Sequence, residues 1–135
     1  MTHSTPPPEQ DMIFAQPLAR PVPFEFNAQV ADVFENMIQR SVPGYNFLLD
    51  VIGLLAARYG QPHSQCYDLG CSLGTMPLRL RKTLPADAHI VGVDNSPAMV
   101  NRCRHNMARD HSQASYEICQ QNLQDTVIEN ASIVI

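Results

Sequence analysis

The sequence predicts an α/β domain with a Rossmann-like, doubly wound parallel sheet, and three observations support this fold class. Short apolar segments typical of buried strands alternate with helical segments from residue 65 onward. Two helical segments precede them without an intervening strand. The 135 residues are 44% hydrophobic and 16% charged, which is the composition of a globular domain. Alternating strands and helices form parallel sheets through right-handed crossovers, so we expect that architecture here.

The N-terminal segment is expected to be an extended, Pro-rich arm over residues 1–26. Six of the eleven prolines lie within residues 6–23, and each removes a backbone donor. Residues 27–60 are expected to form an N-terminal helical lid. The domain organisation is therefore predicted as the arm, the lid, and a Rossmann-like half over residues 65–135.

The lid is predicted to contain two helices. Apolar residues spaced three and four apart predict the first over residues 28–41, with Asn27 as its N-cap. The dipeptide Pro43-Gly44 ends that helix. The second helix is predicted over residues 45–59, and because it is apolar on more than one face we expect it to be largely buried.

The Rossmann-like half is predicted to contain four strands and two helices. The strands are the short apolar segments at residues 65–69, 89–93, 115–119 and 131–135. The helices are predicted over residues 73–84 and 97–109, the second with Ser96 as its N-cap and proline at its first position. The last strand would leave a bare sheet edge in an isolated domain, so we expect the chain to be truncated after the start of the fourth strand.

Composition argues against several partners and locations. The net charge is −4, with 9 basic and 13 acidic residues, which argues against direct binding of nucleic acid or of an anionic membrane. No apolar run has the length of a membrane span and residues 1–12 lack signal-peptide features, so we expect a cytoplasmic protein. The four cysteines form no C-x-x-C motif and the histidines form no ligand pair, so no metal site is predicted.

Ligands of doubly wound sheets bind at the carboxyl ends of the strands, where this chain carries three polar segments. The first strand ends in Asp68-Leu-Gly-Cys-Ser-Leu-Gly74, an acidic residue followed by a glycine turn that brings backbone close to a ligand. The second ends at Asp94, whose carboxylate can accept hydrogen bonds from two ribose hydroxyls. After the third strand, Asn122 can bond an adenine edge and Leu123 can pack against the ring.

These segments favour a nucleoside-type ligand. The turn lacks the G-x-G-x-x-G spacing of a pyrophosphate cradle, so it fits S-adenosylmethionine better than NAD. The same residues have structural alternatives. Asp94 alone is equally typical of a capping residue, and Cys71 is more typical of a backbone contact than of a nucleophile. Arg79, Arg81 and Lys82 are typical of a solvated helix face.

Several of these motifs resemble a known family. Residues 68–74 together with Val93-Asp-Asn-Ser-Pro-Ala-Met99 are similar to the class I S-adenosylmethionine-dependent methyltransferases. The segments Met37-Ile-Gln-Arg-Ser-Val-Pro-Gly-Tyr45 and Ile128-Glu-Asn-Ala-Ser132 narrow the resemblance to the carboxy-S-adenosyl-L-methionine synthases. Ordinary methyltransferases of this class usually carry glycine where Ser72 stands.

The resemblance implies an activity that is unusual for this fold. Synthases of this family convert S-adenosylmethionine and prephenate to carboxy-S-adenosylmethionine and phenylpyruvate, and the product feeds formation of 5-oxyacetyluridine at the tRNA wobble position. The sulfonium methyl becomes a transient ylide, which captures the carbon dioxide lost as prephenate aromatises. The resemblance therefore implies S-adenosylmethionine and prephenate as substrates and a homodimer as the assembly, without a metal.

The resemblance also implies a set of binding residues. The matching positions are Tyr45 in the lid, Gly70, Cys71 and Ser72 at the methionine end, Asp94 and Asn95 at the ribose, and Asn122 and Leu123 at the adenine. This chain has Gln121-Asn122-Leu123 where the family usually has Gly-Asp-Ile, so a charge is missing at the adenine edge. The catalytic residues, including an arginine that binds prephenate, are expected beyond Ile135.

Two alternatives stay open on the sequence alone. One is an ordinary S-adenosylmethionine-dependent methyltransferase that acts on a small molecule or on RNA. The other is a non-catalytic, truncated fragment that binds adenosylmethionine.

Overall fold

The computed structural model describes residues 12, 13, 15, 20 and 23–135. Most of the predicted Pro-rich arm, residues 1–26, therefore lies outside the described residues. Where the described chain becomes continuous, the Phe26 ring packs edge-on against Phe24 and Phe34, with centroid distances of 5.0 and 6.0 Å. These aromatic contacts attach the start of the described chain to the first helix.

The predicted fold class is confirmed, because the structure is a four-stranded parallel sheet with order β3-β2-β1-β4 and helices in the crossovers. The strand order reverses between β1 and β4, which is the topology of a doubly wound sheet. The elements are α1 (Ala28–Ser41), α2 (Tyr45–Tyr59), β1 (Gln65–Leu69), α3 (Thr75–Thr83), β2 (His89–Asp94), α4 (Pro97–Ala108), β3 (Ser115–Gln120) and β4 (Ala131–Val134).

Local capping chemistry explains where the helices begin. Asn27 Oδ1 accepts a hydrogen bond from the Val30 amide at 3.0 Å and starts α1. Ser96 Oγ accepts one from the Met99 amide at 3.2 Å and starts α4. Helix α3 begins two residues later than predicted, because Gly74 has a φ of +88° and closes the preceding turn instead of entering the helix.

The core lies on both faces of β1 and β2. One cluster joins β1, β2 and α3 through the fully buried side chains of Cys66, Leu80 and Ile90. Thiols therefore serve here as small apolar side chains. Helix α4 supplies a second cluster in which the buried Cys103 packs with Cys71 of the turn that follows β1. The turn at the end of β1 is thus anchored in the core.

The prediction that α2 is largely buried is wrong. Only Leu49, Gly53 and Ala56 are buried, whereas Phe47 and Leu54 are 73% and 72% exposed. The helix contacts α3 and β4 through one narrow stripe. An apolar face is buried only where another element covers it, and in the described chain none covers the outer side of α2.

The prediction that Arg81 belongs to a solvated helix face is also wrong. Its side chain is 8% exposed and lies 4.8 Å from the centroid of the Tyr116 ring. Its guanidinium donates to the Ala114 carbonyl at 2.9 Å and to the Asp110 carbonyl at 3.1 Å, and it pairs with the Asp110 carboxylate at 2.9 Å. It also donates to the Ser112 carbonyl. Arg81 therefore fixes the connection between α4 and β3 to α3.

We expect Arg81→Ala to lower the free energy of unfolding by about 2–4 kcal/mol, because several carbonyls and a carboxylate lose their donor together. The neighbouring Lys82 is exposed, so Lys82→Ala is the matched control and should change stability by less than about 0.5 kcal/mol. Urea unfolding followed by circular dichroism measures both variants. Equal stability of the two would show that the Arg81 contacts contribute nothing net.

Candidate functional site

The carboxyl ends of β1, β2 and β3 lie side by side at one edge of the sheet. Asp68 of β1 pairs with Gly92 of β2, and Asp94 of β2 pairs with Gln120 of β3. Beyond the strands, the Gln121 amide donates to the Asp94 carbonyl at 3.1 Å. The three polar segments singled out in the sequence therefore form one continuous edge.

The turn after β1 is built from left-handed backbone positions. The φ angles are +98° at Gly70, +48° at Ser72 and +88° at Gly74. Glycine adopts such angles without steric cost, whereas serine adopts them with strain. The Gly70 and Cys71 amides both donate to the Val93 carbonyl, at 2.7 and 2.9 Å. The turn is therefore held directly against the end of β2.

Asp94 has the capping role that the sequence offered as its structural alternative. Its Oδ2 accepts a hydrogen bond from the Ser72 amide at 3.0 Å, and its Oδ1 accepts one from the Ser96 amide at 2.9 Å. The carboxylate thus fixes both the glycine turn and the start of α4. Each carboxylate oxygen has a second acceptor position, so the same group keeps capacity for hydroxyl donors.

The residues expected at the adenine end are neighbours. Asn95 Nδ2 lies 3.4 Å from Asn122 Oδ1, and Asn122 Nδ2 lies 3.4 Å from Asp125 Oδ2. A short 3₁₀ turn over Leu123–Asp125, which the sequence analysis did not predict, holds this segment. Both asparagines are exposed and Leu123 is 48% exposed, so an amide edge and an apolar side chain are presented together.

Tyr45 reaches the same edge from the lid. It is the first residue of α2, follows Gly44 at a φ of +73°, and is half-buried. Burial, and then the negative charge of Asp68, raise the pKa of Tyr45, while a hydrogen bond with Thr75 at the start of α3 lowers it. The lid residue predicted for the site therefore lies over the end of β1.

Asp68 is the site residue that sequence reasoning missed. Its side chain is 6% exposed, and burial followed by the like charge of Asp94 raises its pKa to about 7. The signal was visible in the sequence as an acidic residue directly before the glycine turn. In that position the residue type indicates close approach of the backbone, and the sequence assigns no role to the carboxylate itself.

The Cys71 thiol is not activated. Its hydrogen bond with the Cys103 thiol, and then burial, raise the pKa of Cys71 far above the ordinary value. A thiol with a raised pKa stays protonated and is a poor nucleophile. The structure therefore favours the interpretation in which the backbone of residue 71 is the functional part.

A groove of about 660 Å³ lies outside this edge, between α3 and α4. Thr75, Arg79, Lys82 and Arg109 are among its lining residues, and none of the predicted binding residues is. The candidate site is therefore the open edge at the strand ends rather than this groove.

Within the residues that the structure describes, no group of three or more His, Cys, Asp or Glu side chains could hold a metal ion. None of the helices in that part of the chain has both the length and the apolar character of a membrane span.

Comparison with known sequences identifies relatives. A family model described as a methyltransferase domain matches residues 67–135. The carboxy-S-adenosyl-L-methionine synthase of Yersinia pestis (strain Pestoides F) is 45% identical over 129 residues, which cover 95% of this chain and 48% of the relative. Carboxy-S-adenosyl-L-methionine synthase 2 of Yersinia pseudotuberculosis serotype IB (strain PB1/+) gives the same values. The chain spans about half the length of the curated relatives it matches.

Comparison with solved structures supports the same fold. An S-adenosyl-L-methionine-dependent methyltransferase candidate from Methanococcus maripaludis superposes with a TM-score of 0.63 at 22% identity, covering 85% of this chain and 52% of that one. The mycolic acid cyclopropane synthase CmaA1, solved with SAH and CTAB, gives a TM-score of 0.52 at 19% identity, covering 66% and 31%. At these identities the likeness establishes the fold alone.

We expect Gly74→Ala to destabilise the chain by about 2–4 kcal/mol, through backbone strain and overpacking together. An added Cβ would lie 2.9 Å from the Sγ of the buried Cys103. Gly44 has a similar φ of +73° with nothing within 4 Å of an added Cβ, so Gly44→Ala isolates the strain and should cost about 1 kcal/mol. Thermal melts of the two variants test the difference, and equal losses would contradict the packing part.

Proposed function

The chain belongs to the methyltransferase-domain family, and we propose that it is the adenosylmethionine-binding part of a carboxy-S-adenosyl-L-methionine synthase. The 45% identity to synthases over 95% of the chain carries this proposal. The geometry supports it, because eight matching residues from the lid and three strand ends border one open edge. The substrates and activity of the whole protein are part of the proposal, since the chain spans about half the length of those relatives.

The contacts support a specific orientation of the ligand. We assign the ribose hydroxyls to the free acceptor positions of Asp94, and the adenine to the Asn95–Asn122 pair with Leu123 beneath the ring. The methionine end then lies on the turn that contains Gly70, Cys71 and Ser72, with Tyr45 above it. Asn122 lacks the charge of the family's usual aspartate, but its amide can both donate to and accept from an adenine edge.

The proposed reaction places defined demands on this site. The sulfonium methyl loses a proton to give an ylide, and prephenate loses carbon dioxide and hydroxide as it becomes phenylpyruvate. The ylide carbon bonds to the carbon dioxide, while the proton and hydroxide form water. Bulk water must be excluded from the ylide, and in the proposed arrangement Tyr45 of the lid gives part of that cover.

The use of the product, the assembly and the cellular location are proposed together with the activity. Carboxy-S-adenosylmethionine would pass to a second enzyme that builds 5-oxyacetyluridine at the tRNA wobble position, so this chain would not contact nucleic acid itself. Prephenate, a homodimeric assembly and a cytoplasmic location belong to the same proposal.

An ordinary methyltransferase is the second candidate, because the fold and the family model fit it equally well. The residue that separates the two is Ser72, where ordinary methyltransferases usually carry glycine. The two candidates differ in their response to prephenate, which an ordinary methyltransferase would ignore.

We expect Asp94→Ala to weaken adenosylmethionine binding by about 1.5–3 kcal/mol, the scale of lost charge-assisted hydrogen bonds. Titration calorimetry measures the effect, with Asp32→Ala as a control, because Asp32 is exposed and pairs with Arg102 on the outer surface. Asp94→Asn keeps one of the two acceptor oxygens and should give a smaller loss. Unchanged affinity in Asp94→Ala would remove this residue from the ribose site.

We expect a chimera to make carboxy-S-adenosylmethionine when this chain replaces the matching half of the Yersinia pestis synthase. Mass spectrometry after incubation with adenosylmethionine and prephenate detects a product heavier by one carbon dioxide. The same chimera with Asp94→Ala should make much less, which controls for carry-over of the parent enzyme. A folded chimera that binds adenosylmethionine but leaves prephenate unchanged would favour the ordinary methyltransferase.

A further inference from the structure

The groove between α3 and α4 has the size of a small-molecule site but no part in the proposed function. Its volume of about 660 Å³ falls within the range of about 300–1,000 Å³ that ligand pockets usually have. Both helices line it, together with Glu35 of α1 and Leu73 of the turn. A ligand bound there would contact none of the residues assigned to adenosylmethionine.

The groove is positively charged in an acidic protein. It is lined by three of the 9 basic residues of the chain and by one of the 13 acidic residues. The basic residues are Arg79, Lys82 and Arg109, and the acidic one is Glu35. Since the chain as a whole carries a net charge of −4, the groove is a local exception that attracts anions.

The three cations lie within reach of one ligand. Arg79 and Lys82 are three residues apart on α3, so their side chains leave the same face of that helix. Arg109, at the C-terminal end of α4, lines the same groove from the other helix. An extended molecule with more than one negative group would therefore contact both walls.

Arg79 is held in its wall by α2. Its guanidinium pairs with Asp50, which offsets part of its charge. Its stem packs against the same helix, because a Cβ added at Gly53 would lie 3.3 Å from the Arg79 Cδ. Arg79 is therefore the ordered side of the groove, and the other two cations are the main partners for an anion.

Lys82 and Arg109 keep their charges available. Both are exposed, and within the described part of the chain neither has a carboxylate within 4.0 Å of its cationic group. Lys82 attracts the Asp110 carboxylate, but that group is already paired with Arg81 at 2.9 Å. The charges of Lys82 and Arg109 are therefore left for a ligand.

The uncharged polar side chains of the groove already have partners. Thr83 Oγ1 donates to a carbonyl within α3 at 3.3 Å, and Asn106 Nδ2 donates to the Leu73 carbonyl at 2.9 Å. Thr75 shares a hydrogen bond with Tyr45. A neutral polar ligand such as a sugar would find few free donors here, whereas an anion would find the cations.

We propose that this groove binds a small polyanion, an extended molecule with two or more phosphate or carboxylate groups, through Lys82 and Arg109. The net charge of −4 opposes a longer polyanion such as a nucleic acid. Cations also suit the C-terminal ends of helices, where carbonyl dipoles favour positive charge. That effect acts on each helix separately and does not require both cations to line one groove.

The test is titration calorimetry of this chain with tripolyphosphate, citrate and inorganic phosphate, in buffers without divalent cations. We expect saturable one-to-one binding of tripolyphosphate or citrate, with a Kd at least about tenfold lower than that of phosphate, because separated charges engage several cations. The affinity should fall as the ionic strength rises. The tighter of the two polyanions shows whether phosphate or carboxylate groups are preferred, and either result supports the proposal.

Charge reversal locates the bound anion. Lys82→Glu and Arg109→Glu should each raise the Kd of the preferred polyanion at least about tenfold. Arg58→Glu makes the same change of charge on an exposed part of α2 outside the groove, and should change the Kd by less than about twofold. Lys82→Gln and Arg109→Gln remove the charge alone, so they keep the test decisive if circular dichroism shows that a reversal disturbs folding.

Three results would overturn the proposal. One is the absence of saturable binding for both polyanions. Another is an equal loss in Arg58→Glu and Lys82→Glu, which would indicate unspecific attraction to the whole surface. The third is tighter binding of a short single-stranded oligonucleotide than of either small polyanion, with the same loss in Lys82→Glu, which would make the partner a nucleic acid. None of these results bears on adenosylmethionine at the strand ends, so the proposed function stands or falls separately.

Discussion

The geometry of the site depends on how the end of β2 holds the turn that follows β1. The Val93 carbonyl accepts two amides of that turn, and the Asp94 carboxylate accepts a third while also fixing the start of α4. These bonds join a strand, a turn and a helix at one point. In the proposed site the ligand would meet the backbone of this turn, so a displacement at this point would shift every contact at the methionine end.

The position of the lid also depends on this turn, through helix α3. Tyr45 lies over β1 because α2 packs on α3, and α3 begins where the turn ends at Gly74. Helix α1 is tied to the site by the Ser96 hydroxyl, which caps α4 and also donates to the Phe26 carbonyl just before the helix. The proposed ligand would therefore contact a connected set of elements rather than independent loops.

Most element boundaries were predictable because their causes are local. Asn27 and Ser96 cap helices with their own side chains, and the alternation of strands with helices determines a parallel sheet. Features that depend on distant partners were not predictable. The exposure of Phe47 and the burial of Arg81 are decided by which elements cover them, which a pattern of apolar and charged residues does not specify.

The candidate site likewise has features that the sequence predicts and features that depend on distant partners. Strand ends locate Gly70, Asp94 and Asn122 from sequence alone, because parallel strands bring their carboxyl ends to one edge. The backbone bonds that Asp94 accepts, and the burial of Asp68, required coordinates. Whether a carboxylate has a donor or a cation beside it depends on turns and side chains far apart in the sequence.

The left-handed backbone at Ser72 bears on which residue suits this position. Its φ of +48° belongs to a region that glycine occupies freely, so the backbone alone would be better served by glycine at this position. A lineage selected only for thermal stability would drift toward glycine there. A serine at this position therefore adds something that glycine cannot, a hydroxyl that donates to the Gly70 carbonyl at 3.4 Å.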